Sequence, residues 1–284
     1  MKLGLVPIGT PPVTEMTPKR LATWRELGAS VIGGRLPDDL DSLELAECRR
    51  IRAMVQDSGL AFGQLWIFEV PLFHPDPARQ SANEAKLRRS CALIRELGCP
   101  VLIVGGGSYS PQGAFAPDAR NQTDQAVEAV ARGARLVMPA AADHGVYLAV
   151  EPLCLAIVRS PQCMRQIIDA VGSPHLGVNL DPVNWLTLDT IFYMTDAVNE
   201  MFDLLGESIV AAHAKDGRLE PRVLVHLSEC LCGTGQMDWR TFLRRFSQLA
   251  PATTLALEHT ADADVPAAFQ HLQACAQAEG LAFS

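Results

Sequence analysis

The sequence lacks a long hydrophobic run and a strongly basic segment. No apolar run in the 284 residues reaches the ~20 residues that a membrane-spanning helix needs. Asp and Glu total 32 against 24 for Lys and Arg, and the resulting net charge of −8 repels the phosphate backbone of nucleic acids. We therefore expect neither a membrane nor a nucleic acid as a partner.

Paired-cysteine motifs are also missing. The eight cysteines are scattered, and none of them form the C-x-x-C spacing of metal or redox motifs. Cys230 and Cys232 could contribute to a soft-metal site, but two thiols make an incomplete one, and free thiols are the simpler interpretation. A chain of this length does not need disulfides to stabilise it, so we expect reduced thiols and a cytoplasmic protein.

What the chain does contain is a regular alternation of short apolar runs and amphipathic stretches. The apolar runs predict eight strands, at Lys2–Ile8, Ser30–Gly33, Leu60–Phe68, Pro100–Gly105, Gly145–Pro152, His175–Asp181, Ser208–His213 and Thr253–Glu258. The amphipathic stretches predict eight helices, at Pro18–Leu27, Leu40–Ser58, Ala78–Leu97, Gln122–Ala142, Pro161–Val171, Leu188–Leu205, Trp239–Leu249 and Val265–Ala278.

Alternating strands and helices are typical of an α/β protein with a parallel sheet, and eight such units are the number that closes a barrel. No composition shift or Pro/Ser-rich linker divides the chain. We therefore predict a single (β/α)8 TIM barrel domain over residues 1–284.

Polar residues end the last four predicted strands. Each of these strands is apolar until it finishes, at Glu151, Asp181, His213 and Glu258. The two-residue period of a strand puts these side chains on the same face as Ala149, Asn179, Ala211 and Ala256. Small residues on that face would line the barrel interior, with the polar residue at the carboxyl-terminal mouth where barrel enzymes hold their chemistry.

Three carboxylates and one imidazole at one barrel mouth would repel one another unless a cation neutralised them. Oxygen and nitrogen ligands suit Mn²⁺, Mg²⁺, Co²⁺, Fe²⁺ or Zn²⁺, and a set without thiolates differs from a structural zinc site. The alternative is four unrelated polar strand ends. Their matching positions on four consecutive strands favour one divalent metal ion.

Several short motifs include or adjoin these strand ends. They are VEP at Val150–Pro152, NLDP at Asn179–Pro182, HAKD at His213–Asp216, LE at Leu257–Glu258, and G-x-G-x-x-D-W at Gly233–Trp239. Together they resemble the xylose isomerase-like barrel superfamily, in particular its sugar isomerase and epimerase branch. That branch includes D-tagatose 3-epimerase-like enzymes, hydroxypyruvate isomerase and inosose dehydratase. The resemblance implies one divalent ion held by Glu151, Asp181, His213 and Glu258, with the two glutamates also acting as the acid–base pair.

One position departs from the family pattern. Many relatives have Asp-x-x-His after the sixth strand, with the histidine touching substrate, whereas this chain has Asp181-Pro182-Val183-Asn184. Asn184 can hydrogen-bond a substrate hydroxyl but cannot act as an acid. The apurinic endonucleases share the barrel but need several histidines, and here only His213 is in a matching ligand position.

Other candidate substrate contacts are Lys215, Arg218, Trp66 and Trp185, together with Asn184. For the charged side chains the alternative is a solvated ion pair, and for the two tryptophans it is core packing. We expect His259 to point away from its neighbour Glu258, and Asp238 to cap the helix that follows it.

These residues favour a metal-dependent isomerase or epimerase of a small sugar or keto-polyol. A dehydratase of an inosose or dehydroshikimate type substrate is the alternative, because the same metal and bases could eliminate water. A sugar-binding barrel without catalysis is a third hypothesis, although a binding protein does not need both glutamates. The sequence leaves open whether the chain forms a homo-oligomer.

Overall fold

The computed structural model describes residues 1–283, and their main sheet is a closed barrel of eight parallel strands. The barrel strands are β1 (Lys2–Val6), β2 (Val31–Arg35), β3 (Ala61–Trp66), β4 (Val101–Gly105), β5 (Tyr147–Glu151), β6 (Leu176–Leu180), β7 (Ile209–Ala214) and β10 (Thr254–Glu258). Neighbouring strands around the barrel follow the order β1, β10, β7, β6, β5, β4, β3, β2, with β2 pairing back to β1. The predicted fold class is therefore confirmed.

Helices separate the strands along the chain. They are α1 (Pro18–Glu26), α2 (Leu45–Asp57), α3 (Pro77–Glu96), α4 (Asp124–His144), α5 (Pro161–Val171), α6 (Leu188–Ile191), α7 (Met194–Leu205), α8 (Trp239–Phe246) and α9 (Val265–Ala278). No helix within residues 1–283 is both long and apolar enough to cross a membrane. The prediction of one domain over residues 1–284 includes Ser284, which lies outside the described residues, and it stays a prediction.

Local sequence signals begin several of these helices. Ser160 accepts a hydrogen bond from the Cys163 amide, and Pro161 occupies the first turn of α5, where its missing N–H costs nothing. Asp238 accepts from the Thr241 amide at the start of α8, which confirms its expected capping role.

Two predictions of secondary structure were wrong. The helix predicted over Leu188–Leu205 is two helices, because the non-helical backbone of Tyr193 (φ −130°, ψ 44°) breaks the helix between α6 and α7. The sequence analysis predicted no strand between His213 and Trp239, and this segment forms an antiparallel hairpin of β8 (Asp216–Leu219) and β9 (Leu227–Cys230). Apolar and polar residues do not alternate in either four-residue strand, DGRL or LSEC, so the sequence carries no strand pattern here.

The core has two layers, outside and inside the barrel. Large aliphatic residues such as Leu148, Val150 and Leu257 face outward in the main core cluster with the helices. A smaller cluster fills the interior, and its members are Val6, Trp66, Val101, Ile103, Ala149, Ala211 and Ala256. The three alanines leave the interior wide enough for polar side chains at the mouth above them.

Candidate metal centre

The four polar strand ends converge at the carboxyl-terminal mouth of the barrel. Ligand atoms of Glu151, Asp181, His213 and Glu258 all lie within 4.8 Å of one another. All four residues are at most 5% exposed. Glu151 and Glu258 end β5 and β10, His213 lies near the end of β7, and Asp181 directly follows β6. The structure therefore brings together the four residues that the sequence singled out.

His213 stands at the centre of this cluster. Its Nδ1 lies 3.2 Å from Glu151 Oε1, 3.1 Å from Glu258 Oε1 and 3.9 Å from Asp181 Oδ2. Burial opposes protonation of the ring, but the negative charges of Glu258 and Glu151 outweigh it and raise the pKa of His213 to about 10. Without a metal ion, the cluster thus takes up a proton to offset part of its negative charge.

The carboxylates are incompletely satisfied. Among residues 1–283, Glu151 Oε2 is buried and has no hydrogen-bond partner, and Asp181 Oδ2 accepts no well-aligned hydrogen bond. Asp181 Oδ1 accepts from the amides of Val183 and Asn184 at 3.0 and 3.3 Å. Burial, helped by the neighbouring glutamates and opposed by Lys215, raises the pKa of Asp181 to about 6.

These features fit a divalent cation. A buried carboxylate oxygen without a donor carries a desolvation cost that a bound cation would remove. The donor set of three carboxylates and one imidazole has the hard and borderline character that Mg²⁺, Mn²⁺, Fe²⁺, Co²⁺ and Zn²⁺ accept. The four residues could hold such an ion, and its chemical identity does not follow from them.

Lys215 lies beside the cluster with only 4% of its surface exposed. Its Nζ is 2.7 Å from Glu258 Oε2, 2.9 Å from Asp181 Oδ2 and 3.6 Å from Glu229 Oε2. Burial opposes the charge of Lys215, but the surrounding carboxylates hold its pKa well above the usual value. The ammonium group in turn helps His213 keep the pKa of Glu258 well below its ordinary range, against the effect of burial.

Glu229 and Gln64 are site residues that the sequence analysis missed. Glu229 lies on β9, in the hairpin that carried no strand signal. Gln64 is fully buried on β3, and its amide lies 2.6 Å from His213 Nε2. Its signal in the sequence was a polar residue between Phe62 and Trp66 in an otherwise apolar alternation.

The other predicted substrate contacts have different surroundings. Asn184 donates to Glu151 Oε1 at 3.2 Å, which places it at the cluster. Trp66 belongs to the barrel interior and stacks on Phe68. Trp185 is buried in the outer core and donates its indole N–H to the Val158 carbonyl, as core packing would require. Arg218 is on the hairpin and pairs with Glu220. Substrate contact by these residues stays a prediction.

The expected direction of His259 was wrong. Its backbone is in the left-handed region (φ 50°), so the usual alternation does not apply at this position. The ring Nδ1 lies 3.0 Å from Glu229 Oε1, and Nε2 lies 3.8 Å from Glu258 Oε1. The carboxylate of Glu229 raises the pKa of His259. His259 thus stands at the barrel mouth beside Glu258.

Asp216 anchors the loops that surround the mouth. Its buried carboxylate accepts hydrogen bonds from the backbone amides of Gly217, Gly233 and Met237, and from the indole of Trp239 at 3.4 Å. A Cβ atom at Gly235 would stand 2.2 Å from Asp216 Oδ1, so this close approach requires glycine. The Asp of HAKD and the glycines before α8 therefore have a structural explanation.

A large cavity adjoins the mouth on the side of β3 and β4. Its volume is about 950 Å³, and it lies between the loops that follow these strands and the first half of α3. Phe68 belongs both to the cavity wall and to the cluster inside the barrel. Phe115 stands 3.0 Å from the position of a Cβ atom at Gly105, the residue that pairs with Glu151. The aromatic lining residues of the cavity are Phe68, Phe73, Tyr109 and Phe115.

Comparison with known families agrees with this architecture. Residues 21–277 match the family model described as xylose isomerase-like TIM barrel, and the chain belongs to this family. The resemblance that the motifs indicated is thereby confirmed. No curated protein matches the chain in sequence.

Solved structures share the fold at low sequence identity. A D-tagatose 3-epimerase-like protein superposes with a TM-score of 0.73 at 12% identity, covering 99% of this chain and 98% of its own. A xylose isomerase-like TIM barrel protein from Mycobacterium smegmatis in complex with magnesium has a TM-score of 0.71 at 17% identity, with coverages of 93% and 90%. D-psicose 3-epimerase from Clostridium cellulolyticum H10, solved with D-tagatose, has a TM-score of 0.67 at 15% identity, with coverages of 98% and 96%. Such identities establish a common fold and leave the substrate undetermined.

Proposed function

We propose that the protein is a divalent-metal-dependent isomerase or epimerase of a small sugar or keto-polyol. The observation that carries this proposal is the pair of buried glutamates on either side of His213, at the ends of β5 and β10. The fold and the epimerases among the similar structures support it. When bound, the cation would supply Lewis acidity that polarises a substrate carbonyl and makes the neighbouring C–H more acidic.

The two oxygens of each glutamate have different surroundings. Glu151 Oε1 and Glu258 Oε1 both face His213 Nδ1 and are the oxygens placed to hold a cation. Glu151 Oε2 has no hydrogen-bond partner among residues 1–283, and Glu258 Oε2 accepts from Lys215. Each side chain can therefore bind the ion through one oxygen and exchange a proton through the other.

The proposed proton transfers follow from this difference. Glu151 Oε2 is free to accept a proton from carbon, while Asn184 holds the other oxygen of the same carboxylate. Glu258 lies on β10, three strands round the barrel from β5, which carries Glu151. It therefore meets the substrate from another side. The Lys215 ammonium at 2.7 Å keeps Glu258 in its charged form and can itself supply the proton that is returned on this side. Return of the proton to the opposite face of the same carbon inverts that carbon. Return to the former carbonyl carbon, with loss of the proton from the neighbouring hydroxyl, moves the carbonyl.

Elimination of water is the second candidate. The ammonium of Lys215 lies 2.7 Å from Glu258 Oε2, and this pair could protonate a departing hydroxyl group. The same site would then act as a dehydratase on an inosose or dehydroshikimate type substrate. Isomerisation preserves the mass of the substrate, whereas elimination lowers it by one water. A barrel that only binds sugar would produce neither change.

The decisive experiment is a substrate panel in D₂O. Protein loaded with Mg²⁺ is incubated with ketoses, inososes and hydroxy-keto acids, and the products are analysed by NMR and mass spectrometry. We expect a product that is an isomer of the substrate, with no water lost, and that carries deuterium at the deprotonated carbon, because a carboxylate exchanges its proton with solvent. A product lacking one water would select the dehydratase, and no conversion of any compound would favour a binding protein.

Variants of the glutamates connect the activity to the site. Glu151→Gln and Glu258→Gln should each lower kcat by ~10²–10⁴-fold with a smaller effect on substrate binding, because each removes a group used in the transition state. Glu128→Gln changes an exposed glutamate on α4 and serves as the matched control. Metal content must be measured first, since both glutamates are also proposed ligands. Wild-type turnover in both metal-loaded variants would rule out the two-base mechanism.

A further inference from the structure

Gln64 reaches His213 from the opposite side of the barrel. In the closed strand order, four steps separate β3, which carries Gln64, from β7, which carries His213. The Gln64 side chain is fully buried, and its Nε2 atom is placed 2.6 Å from His213 Nε2. A side chain that spans the interior to meet one nitrogen of a proposed metal ligand needs a physical explanation.

The polarity of this contact can be assigned from the hydrogen bonds around it. An amide nitrogen carries only donors, and the oxygen and nitrogen of an amide are distinguished by their partners. Gln64 Oε1 is buried and accepts no hydrogen bond from any described residue. Rotating the amide by half a turn places Oε1 against the ring nitrogen. His213 Nε2–H then donates to Gln64, and the unpaired oxygen gains a partner.

The other ring nitrogen requires the same assignment. His213 Nδ1 is the atom that faces Glu151, Glu258 and Asp181. A metal ion among these carboxylates needs the Nδ1 lone pair, so the hydrogen of the neutral ring must be on Nε2. An acceptor opposite Nε2 stabilises that tautomer, whereas a donor there would favour hydrogen on Nδ1 and block the ligand position.

Asn179 does not compete for this role. Its Nδ2 is 3.1 Å from His213 Nδ1 and 3.3 Å from Nε2. The in-plane directions of the two ring nitrogens diverge, so one amide group at nearly equal distances cannot align with both. Asn179 therefore packs against the ring without selecting a tautomer.

We propose that Gln64 is a positioning residue that accepts a hydrogen bond from His213 Nε2 and thereby keeps Nδ1 free to bind the divalent metal ion. The inference rests on the metal site of the proposed function and adds to it a contact from the opposite barrel wall. Partners of this kind typically change metal affinity by ~10–100-fold when removed.

The test compares variants that keep or lose the acceptor. Gln64→Met preserves size and removes the acceptor, while Gln64→Asn shortens the side chain by one methylene and withdraws it. Gln64→Glu retains an acceptor at full length. Thr254→Val is the matched control, because Thr254 is a buried residue on β10 whose hydroxyl has no partner among residues 1–283.

Two measurements report on the proposal. Zinc affinity is measured by competition with a chelator, and the His213 tautomer in the zinc-loaded protein is read from ¹⁵N shifts and two-bond couplings of the ring. We expect hydrogen on Nε2 in the wild type, in Thr254→Val and in Gln64→Glu. We expect Gln64→Met and Gln64→Asn to bind zinc ~10–100-fold more weakly, and the ¹⁵N shift of Nε2 to move in both as its hydrogen bond is lost.

The outcomes separate this inference from the proposed function. A wild-type protein that binds no zinc, magnesium or manganese would overturn the proposed function and this inference with it. If the wild type binds zinc but Gln64→Met and Gln64→Asn keep its affinity within twofold and its Nε2 shift, the inference on Gln64 alone is wrong. Hydrogen on Nδ1 in the zinc-loaded wild type would also overturn it.

Discussion

Replacement of Lys215 by methionine should destabilise the metal-free protein strongly. Lys215→Met keeps the length and apolar stem of the side chain and removes its positive charge. The lost ammonium contacts Glu258 at 2.7 Å and Asp181 at 2.9 Å. Both carboxylates are buried, so water cannot take over the missing contacts.

The expected magnitude follows from this burial. Removing one partner of a buried ion pair typically costs about 3–5 kcal/mol, because the remaining charge stays desolvated and unpaired. The protonated ring of His213 offsets part of the negative charge, so we expect the lower end of that range. A divalent ion would neutralise the same carboxylates directly. Metal binding should therefore stabilise the Lys215→Met protein more than it stabilises the wild type.

The assay is urea unfolding with excess chelator and again with Mg²⁺ at one fixed concentration, about 100 times the dissociation constant of the wild type. The wild type should gain about 2.7 kcal/mol from the metal at that ratio. Lys215→Met is measured at the same Mg²⁺ concentration, and its lower dissociation constant should give it a larger gain. Lys19→Met, at an exposed position of α1, controls for loss of a lysine charge.

Two results would refute this reasoning. One is a free energy of unfolding for metal-free Lys215→Met within about 1 kcal/mol of the wild type, the range of exposed ion pairs. The other is weaker metal binding in Lys215→Met, since that would mean that the ammonium assists the cation instead of competing with it for Asp181 and Glu258.

Three further predictions concern the metal ligands and the loops around them. Purified wild type should hold about one divalent ion per chain, whereas Asp181→Asn and His213→Ala should hold less; unchanged metal content in both would remove these ligands from the assignment. Metal binding at pH 7 should release protons, because His213 with a pKa of about 10 must lose its charge to bind. Metal affinity should also fall as pH drops through about 6, where Asp181 takes up a proton. Calorimetry in buffers of different ionisation enthalpy measures the proton release, and a binding enthalpy independent of buffer would contradict it. Asp216→Ala should lower the free energy of unfolding by more than about 2 kcal/mol, because several buried donors lose their acceptor. The same change should expose residues 217–237 to protease, and digestion at the wild-type rate would argue against the anchoring role.

The barrel and its four polar strand ends could be predicted because they depend on periodic patterns. Alternation along β5, β6, β7 and β10 determines which face each residue takes, and closure of the barrel then brings the strand ends together. These contacts need no detail beyond strand register.

The remainder depends on conformations that leave little trace in the sequence. The β8–β9 hairpin is built from two four-residue strands, DGRL and LSEC, in which apolar and polar residues do not alternate. His259 turns toward Glu258 through a left-handed backbone that alternation cannot anticipate. The contact of Gln64 with His213 joins residues 149 positions apart in the chain and requires the diameter of the closed barrel.

The cation ligands and the aromatic cavity come from different parts of the chain. All four proposed ligands follow residue 150, while the cavity is lined by residues 68–115. The ligands lie at the ends of β5, β6, β7 and β10, whereas the cavity wall includes the loops after β3 and β4. Exchange of the loops after β3 and β4 between relatives would thus replace the wall of the cavity and leave the ligands in place. The division gives evolution, and protein engineers, a route to new substrate preferences that preserves the inherited chemistry.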